Sequence, residues 1–350
     1  MKTVKLGIIG VGGIAMGRHI KEILECPDAR IVALCDINEK AMDKAIDKFG
    51  LENVRKYTDY RELIKDSEVD AIEVCTPNDL HAEMAINILK SGKPVNLEKP
   101  IALDHTEALT ITEAEKNSSS FGMTCFTYRF MPAVRYAKAL VDSGVIGEVI
   151  GLNVAYLKNS ALWEGRRLEW RFQKSRAGSG VIGDLGVHLI DLAQLLAGKL
   201  TAVCAVKKIV VTERKRLDSE EIAPVETDDL CSFLAEFESG ASATFHITRC
   251  AIGHANTIRY DVYGSKGSIS FDLNNPDILD ICTGEGDPKN YKTRTENVPE
   301  KYRLSQEQAF VNAVNGQRDA LYPTLADGAD GQKIIDSIIE SAEKNSWIKL

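Results

Sequence analysis

The chain has 350 residues, more than one ordinary domain and enough for two. An apolar share of 44% with 27% charged residues is that of a water-soluble globular protein, and a formal charge of −8 argues against nucleic acid or an anionic membrane as partner. No apolar run reaches the length of a membrane span, the N-terminus reads as a strand rather than a signal peptide, and the eight cysteines lack any C-x-x-C pair. Several of them lie in apolar runs, the pattern of reduced core thiols, so a cytoplasmic location is expected.

In chain order, Val4 to Ile9 has the short apolar run of a buried parallel strand. Gly10-Val11-Gly12-Gly13-Ile14-Ala15 follows and opens a helix to about Leu24, so the G-x-G-x-x-A pattern lies between strand and helix as dinucleotide binding requires. Gly10 permits the tight turn, Gly12 lets the main chain approach a pyrophosphate, and the helix N-terminus faces its negative charge. A second strand, Arg30 to Cys35, ends at Asp36, 24 residues beyond Gly12. A carboxylate there hydrogen-bonds ribose hydroxyls and repels a 2′-phosphate, which points to NAD.

The alternation continues with helix 39–49, strand 54–57, helix 60–66 and strand 71–74. Thr76-Pro77-Asn78 then turns at the carboxyl end of that strand, the edge where doubly wound sheets bind ligands. A helix ends near Lys90, and strand 94–97 runs into Glu98-Lys99-Pro100. Helix 104–116 and strand 121–126 complete six strands, giving an α/β Rossmann domain, a doubly wound parallel sheet, over residues 1–125.

The remainder, 126–350, has a different pattern. Helix 132–143 precedes strands at 149–158, 202–211, 231–238, 241–248, 259–264 and 267–272, with hairpin turns at Glu238-Ser239-Gly240 and Gly264 to Gly267. This indicates an α+β domain with a large open, mostly antiparallel sheet. Residues 213–228 read as a charged surface loop, and 304–315 and 329–344 as closing helices.

One stretch, Gly178 to Asp191, carries the chemistry. Its apolar spacing predicts a helix over 184–197, with Asp184 and His188 one turn apart and Asp191 three residues further. An Asp–His pair beside a glycine-rich turn suits acid–base work. Two other accounts stand beside it. Asp184 could cap the helix with His188 a core histidine, or the pair could ligate a metal; the lack of a nearby His or Cys cluster speaks against the metal. Just upstream, Trp163 to Phe172 mixes aromatic and arginine side chains that suit sugar rings and hydroxyls, although Trp170 could equally be a core residue.

Glu98-Lys99-Pro100, Thr76-Pro77-Asn78-x-x-His81, the Gly10 to Ala15 turn and G-D-x-G-x-H-x-x-D from Gly183 to Asp191 together resemble the glucose–fructose oxidoreductase and inositol dehydrogenase family (Gfo/Idh/MocA). Trp347-Ile348-Lys349 is similar to its closing strand. The resemblance implies that Lys99, Asp184 and His188 act together at C4 of a nicotinamide, often with a cis bond before the proline. It also implies cofactor contacts from Gly10, Gly12, Gly13, Ile14, Asp36, Thr76, Asn78, His81, Glu98 and Lys99. Substrate contacts are expected from Lys99, Arg129, Tyr156, Trp170, Asp184 and His188, with a surface ion pair as the other account of Arg129. The implied activity is NAD-dependent oxidation of a secondary hydroxyl on a cyclic polyol or pyranose sugar, in a homodimer or homotetramer, with no metal. Transient use of bound NAD to cleave or epimerise sugars, and a catalytically silent NAD-binding sensor, are the alternatives.

Overall fold

The structure, a computed structural model, describes residues 2–350. They form two compact units, one running to Phe126 and including Leu304–Asp330, the other comprising Thr127–Arg303 and Gly331–Leu350.

In the first unit, β1 (Val4–Ile9), β2 (Ala29–Cys35), β3 (Arg55–Tyr57), β4 (Ala71–Val74), β5 (Val95–Leu97) and β6 (Gly122–Thr124) form one parallel sheet in the order β3-β2-β1-β4-β5-β6. Leu6, Ile8, Ile72, Val74, Val95 and Leu97 are buried because helices cover both faces, which is why these strands read as mostly apolar runs, broken by Glu73 in β4 and Asn96 in β5. The strand order reverses between β1 and β4, and Gly10, Asp36 and Thr76 all follow the carboxyl ends of strands there. Local chemistry sets the helix starts: Asp104 accepts from the Glu107 amide at 2.8 Å, and Asp59 from that of Arg61 at 2.9 Å.

The expected division of the chain at 125/126 needs a correction, because residues 304–330 belong with the first unit. They close the open edge of β6. The Thr124 amide donates to the Pro323 carbonyl at 3.0 Å, and Tyr322 Oη donates to the Gly122 carbonyl at 3.1 Å. Gly122 permits this approach, since a Cβ there would lie 2.4 Å from the Leu325 side chain. An edge strand left bare would invite pairing with another chain.

In the second unit, β7 (Val149–Leu157), β8 (Leu200–Lys208), β11 (Leu230–Phe237), β12 (Ser242–Thr248), β13 (Thr257–Gly264), β14 (Gly267–Asp272), β15 (Ile278–Thr283), β16 (Lys292–Asn297) and β17 (Ile348–Lys349) form one open sheet. Its order is β16-β15-β14-β13-β7-β12-β11-β8-β17, and every neighbouring pair is antiparallel except β7 and β12. Residues 213–228, read as a loop, hold a short hairpin of β9 (Glu213–Lys215) and β10 (Ile222–Pro224). Two strands, β15 and β16, have no counterpart in the sequence reading. The sequence of β16, Lys-Thr-Arg-Thr-Glu-Asn, is polar throughout and carries no period-two signal, since it forms an exposed sheet edge.

One face of this sheet packs on the helix that carries Asp184 and His188. That helix starts earlier than its periodicity suggests, with a π-helical turn at Ile182–Gly186 before the α-helical part Val187–Ala197. Its cap comes from far away in sequence: the Asp228 carboxylate accepts the Gly180 amide at 2.9 Å and the Ile182 amide at 3.0 Å. Asp184 is therefore not the cap. A Cβ on Gly180 would lie 2.0 Å from the Asp228 carbonyl oxygen, so the capping segment needs glycine at this point. The stretch Lys174–Ala197 is long and apolar enough for a membrane span by length and composition alone, contrary to the sequence reading. Its most apolar window is 83% buried within the protein, the burial of a core helix.

Candidate active site

The glycine turn has the form of a phosphate cradle. Gly10 adopts φ +86°, and a Cβ there would lie 2.8 Å from the main chain of Cys75, so turn and close approach both demand glycine. A Cβ at Gly12 or Gly13 would meet no protein atom within 4 Å, which leaves room above the helix N-terminus for a pyrophosphate. Asp36 is anchored at the tip of β2, accepting from the Val11 amide and the Asn38 amide, each at 2.8 Å. Ile14 and Ile37 expose apolar side chains near the glycine turn and Asp36 in sequence. These residues fit an adenine dinucleotide without a 2′-phosphate.

Two expected cofactor ligands have other partners. His81 is fully buried, with Nδ1 2.8 Å from the Pro100 carbonyl and Nε2 2.9 Å from that of Thr76. Its ring thus ties the Thr76 turn to the Lys99–Pro100 loop, and burial lowers its pKa. The Lys99–Pro100 bond is cis. Glu98 turns inward: one carboxylate oxygen lies 3.0 Å from His19 Nε2, and the other accepts the Lys99 amide at 3.1 Å.

His19 is the centre of a polar network that no motif announced. Its Nδ1 lies 2.8 Å from Glu307 and 3.4 Å from Glu73, both without exposure to solvent. Asn96 donates to Glu73 at 2.7 Å and accepts from the Cys125 thiol at 3.1 Å. Burial opposes the imidazolium of His19, but its interactions with Cys75 and Glu307 outweigh this and raise the pKa. Burial, then the neighbouring Glu307 charge, pushes the Glu73 carboxyl up to about 8. His19, Glu73 and Cys125 bring potential ligand atoms within 4.8 Å of one another. The Cys125 thiol is driven well above its usual pKa by burial and by Glu98, and it donates to Asn96.

In the second unit, His188 is buried on its helix beneath Tyr128, with ring centroids 4.6 Å apart and planes at 58°. The Tyr128 and Tyr156 hydroxyls are 2.9 Å apart, and Tyr156 donates to Asn256 at 3.0 Å. Tyr156 was expected at the substrate; it is 3% exposed with its hydroxyl engaged twice, and burial keeps it a neutral phenol. It supports Tyr128. Arg129 is no surface residue: Nε lies 2.8 and 3.0 Å from the two Asp191 carboxylate oxygens, and Nη2 lies 2.5 Å from one of them. Trp170 is half-buried, with the Arg171 guanidinium 4.3 Å above its ring; the core aromatic here is Phe172.

The Asp184 carboxylate, expected to serve the imidazole, accepts from Arg249 Nη2 at 2.7 Å. The Arg171 Nε lies 4.0 Å from its other oxygen. Arg249 lies on the stretch after β12, 65 residues along the chain, and nothing in its spacing pointed to the site.

A cradle for NAD and a helix bearing an aspartate and a buried histidine define the class as a nicotinamide-linked oxidoreductase. Residues 4–124 match the family described as an oxidoreductase family with an NAD-binding Rossmann fold, and residues 134–270 match the GFO/IDH/MocA C-terminal domain. The chain is 30% identical to levoglucosan dehydrogenase of Pseudarthrobacter phenanthrenivorans over 99% of its length and 98% of the relative's. It is 26% identical to inositol 2-dehydrogenase of Rhizobium meliloti over 99% of both. A solved structure of levoglucosan dehydrogenase in complex with NADH and levoglucosan superposes with a TM-score of 0.90, at 30% identity over 99% of each chain. The protein belongs to the Gfo/Idh/MocA oxidoreductase family, with NAD as its cofactor.

Proposed function

We propose that the protein oxidises a secondary hydroxyl of a pyranose sugar or cyclic polyol. The observation that carries this is the pair of Asp184 and His188 on one buried helix, in a chain whose other unit carries the NAD cradle. NAD, when bound, supplies the hydride acceptor. His188 takes the hydroxyl proton as general base, and Tyr128 holds its ring in one orientation. Asp184 fixes a negative charge one turn away, and Lys99 stabilises the alkoxide charge that develops as the proton leaves. Arg129 and Asp191 neutralise one another, so their part is to hold the segment after β6 against the catalytic helix.

The likeness to levoglucosan and inositol dehydrogenases supports starting with anhydrosugars, hexopyranoses and inositols as substrates. The test is NADH formation, followed by absorbance, across levoglucosan, glucose, glucose 6-phosphate and the inositols. Turnover of at least one of them, abolished by Lys99→Ala, is expected. A protein that binds NADH yet reduces no NAD with any of them would be a sensor. Retained cofactor with product but no net reduction would indicate transient oxidation. We also propose that the outer face of the open sheet, with Leu234, Val206, Tyr263 and Trp347 exposed, is covered by a second copy of the chain. All eight cysteines are free thiols, which supports a reducing, cytoplasmic setting.

A further inference from the structure

Arg249 has the properties of a residue kept for something other than stability. It is 2% exposed, the largest fully buried side chain among the described residues. Its main chain is fixed on both sides, its amide donating to Asp229 and its carbonyl accepting from Ala161, each at 2.9 Å. The guanidinium lies 5.8 Å from the Phe172 ring, which Arg166 and Arg214 also approach, at 4.7 and 4.4 Å. Among the described residues its Nη1 has no hydrogen-bond partner, so a buried donor is left for water or substrate. A buried ion pair of this kind is commonly no more stable than an apolar side chain of the same shape.

We infer that Arg249 is a positioning residue of the catalytic helix, which holds the Asp184 carboxylate in one orientation and offsets its charge so that His188 stays in the neutral, proton-accepting form. The inference rests on the role proposed for His188. An aspartate one turn from an imidazole stabilises the imidazolium, against the burial of the ring, which disfavours it. The Arg249 cation, 2.7 Å from Asp184, opposes the aspartate's effect by pairing with the carboxylate.

The other ionisable groups of the second unit around this helix do not replace it. Arg171 stands off at 4.0 Å from Asp184, Arg129 and Asp191 cancel one another, Arg166 is paired with Glu169 at 3.1 Å, and Tyr128 and Tyr156 are bonded to each other. Arg214 donates to the Ala161 and Arg166 carbonyls, and Asp229 accepts from the Val210 and Val211 amides.

The experiment is a pH titration of 15N-histidine resonances in the full-length protein, with His188→Asn identifying the His188 signals. In the wild type the midpoint should fall at or below about 6.5, the ordinary histidine value, despite the aspartate. Arg249→Met should raise it by about one unit or more, and Arg249→Lys, which keeps the charge, should leave it within a few tenths. A purely structural arginine would lower thermal stability in Arg249→Met and leave the midpoint unchanged, which would overturn the inference. So would a wild-type midpoint above about 7.5, a reading that needs no variant to fold. Because the titration requires no turnover, failure of every sugar in the NADH assay counts against the proposed activity alone. Where turnover is found, the acid limb of kcat should move with the resonance.

Discussion

Replacing Glu73 by glutamine should remove an alkaline loss of stability that the wild-type protein carries. Glu73 is wholly buried between Asn96, at 2.7 Å, and the His19 ring, at 3.4 Å, with Glu307 on the same imidazole nitrogen. Burial first, and Glu307 next, raise its carboxyl from 4.5 to about 8. A folded pKa above the unfolded one means that folding favours the protonated form. The stabilisation is complete below pH 4.5 and is lost progressively up to about pH 8. One proton taken up on folding corresponds to about 1.4 kcal/mol per pH unit, so the fall between pH 6 and 8 is on the order of 2–3 kcal/mol. The raised pKa of His19 has the same sign, its contribution disappearing as pH rises above 6.5 and through the folded value. Glutamine keeps a carbonyl for Asn96 and carries no titrating proton, so the slope should shrink by about one proton's worth. Urea unfolding followed by far-ultraviolet circular dichroism between pH 6 and 8.5 measures it. Trp163, Trp170 and Trp347 all lie in the second unit, so tryptophan fluorescence provides a separate signal from that unit. A slope in Glu73→Gln parallel to that of the wild type would refute the reasoning, and would place the proton on another group.

His188→Asn should cut kcat by roughly 10²–10⁴, the usual worth of a general base, and abolish the acid limb of the pH profile; a variant that retains the limb would make another group the base. Asp36 should make NAD preferred over NADP, and Asp36→Ala should narrow that preference by removing repulsion of the 2′-phosphate; steady-state kinetics with both cofactors decide. Light scattering at micromolar concentration should give at least twice the monomer mass of about 38.5 kDa, and a monomer would leave the outer sheet face unexplained.

Most of the first unit was legible because its signals are local. Buried parallel strands read as short apolar runs, and caps such as Asp104 stand next to the helices they start. The antiparallel strands with alternating burial, β7 and β11 among them, were equally plain. What escaped is non-local. Asp228 caps a helix that begins 47 residues earlier, at Val181, by the count of positions, and Arg249 meets Asp184 across 65. His19, Glu73, Glu98 and Glu307 come from four separate segments, and nothing in their spacing shows that they meet. Motif reading marked His81 and Glu98 as cofactor contacts. That their side chains also fix the loops around Lys99 depends on the direction a side chain takes, which spacing does not encode.

The closure of β6 by residues 322–325 has a consequence for how the chain is made. The strands of the Rossmann sheet leave the ribosome first, yet Pro323, which completes its edge, and Glu307, which completes the polar network around His19, arrive only after the whole antiparallel sheet apart from β17 has been synthesised. Until then the nascent sheet presents an unpaired strand, and His19 lacks one of its carboxylate partners. An expression fragment ending at Phe126 would reproduce that unfinished intermediate rather than an autonomous nucleotide-binding domain, so dissection of this protein has to carry 304–330 with the N-terminal half.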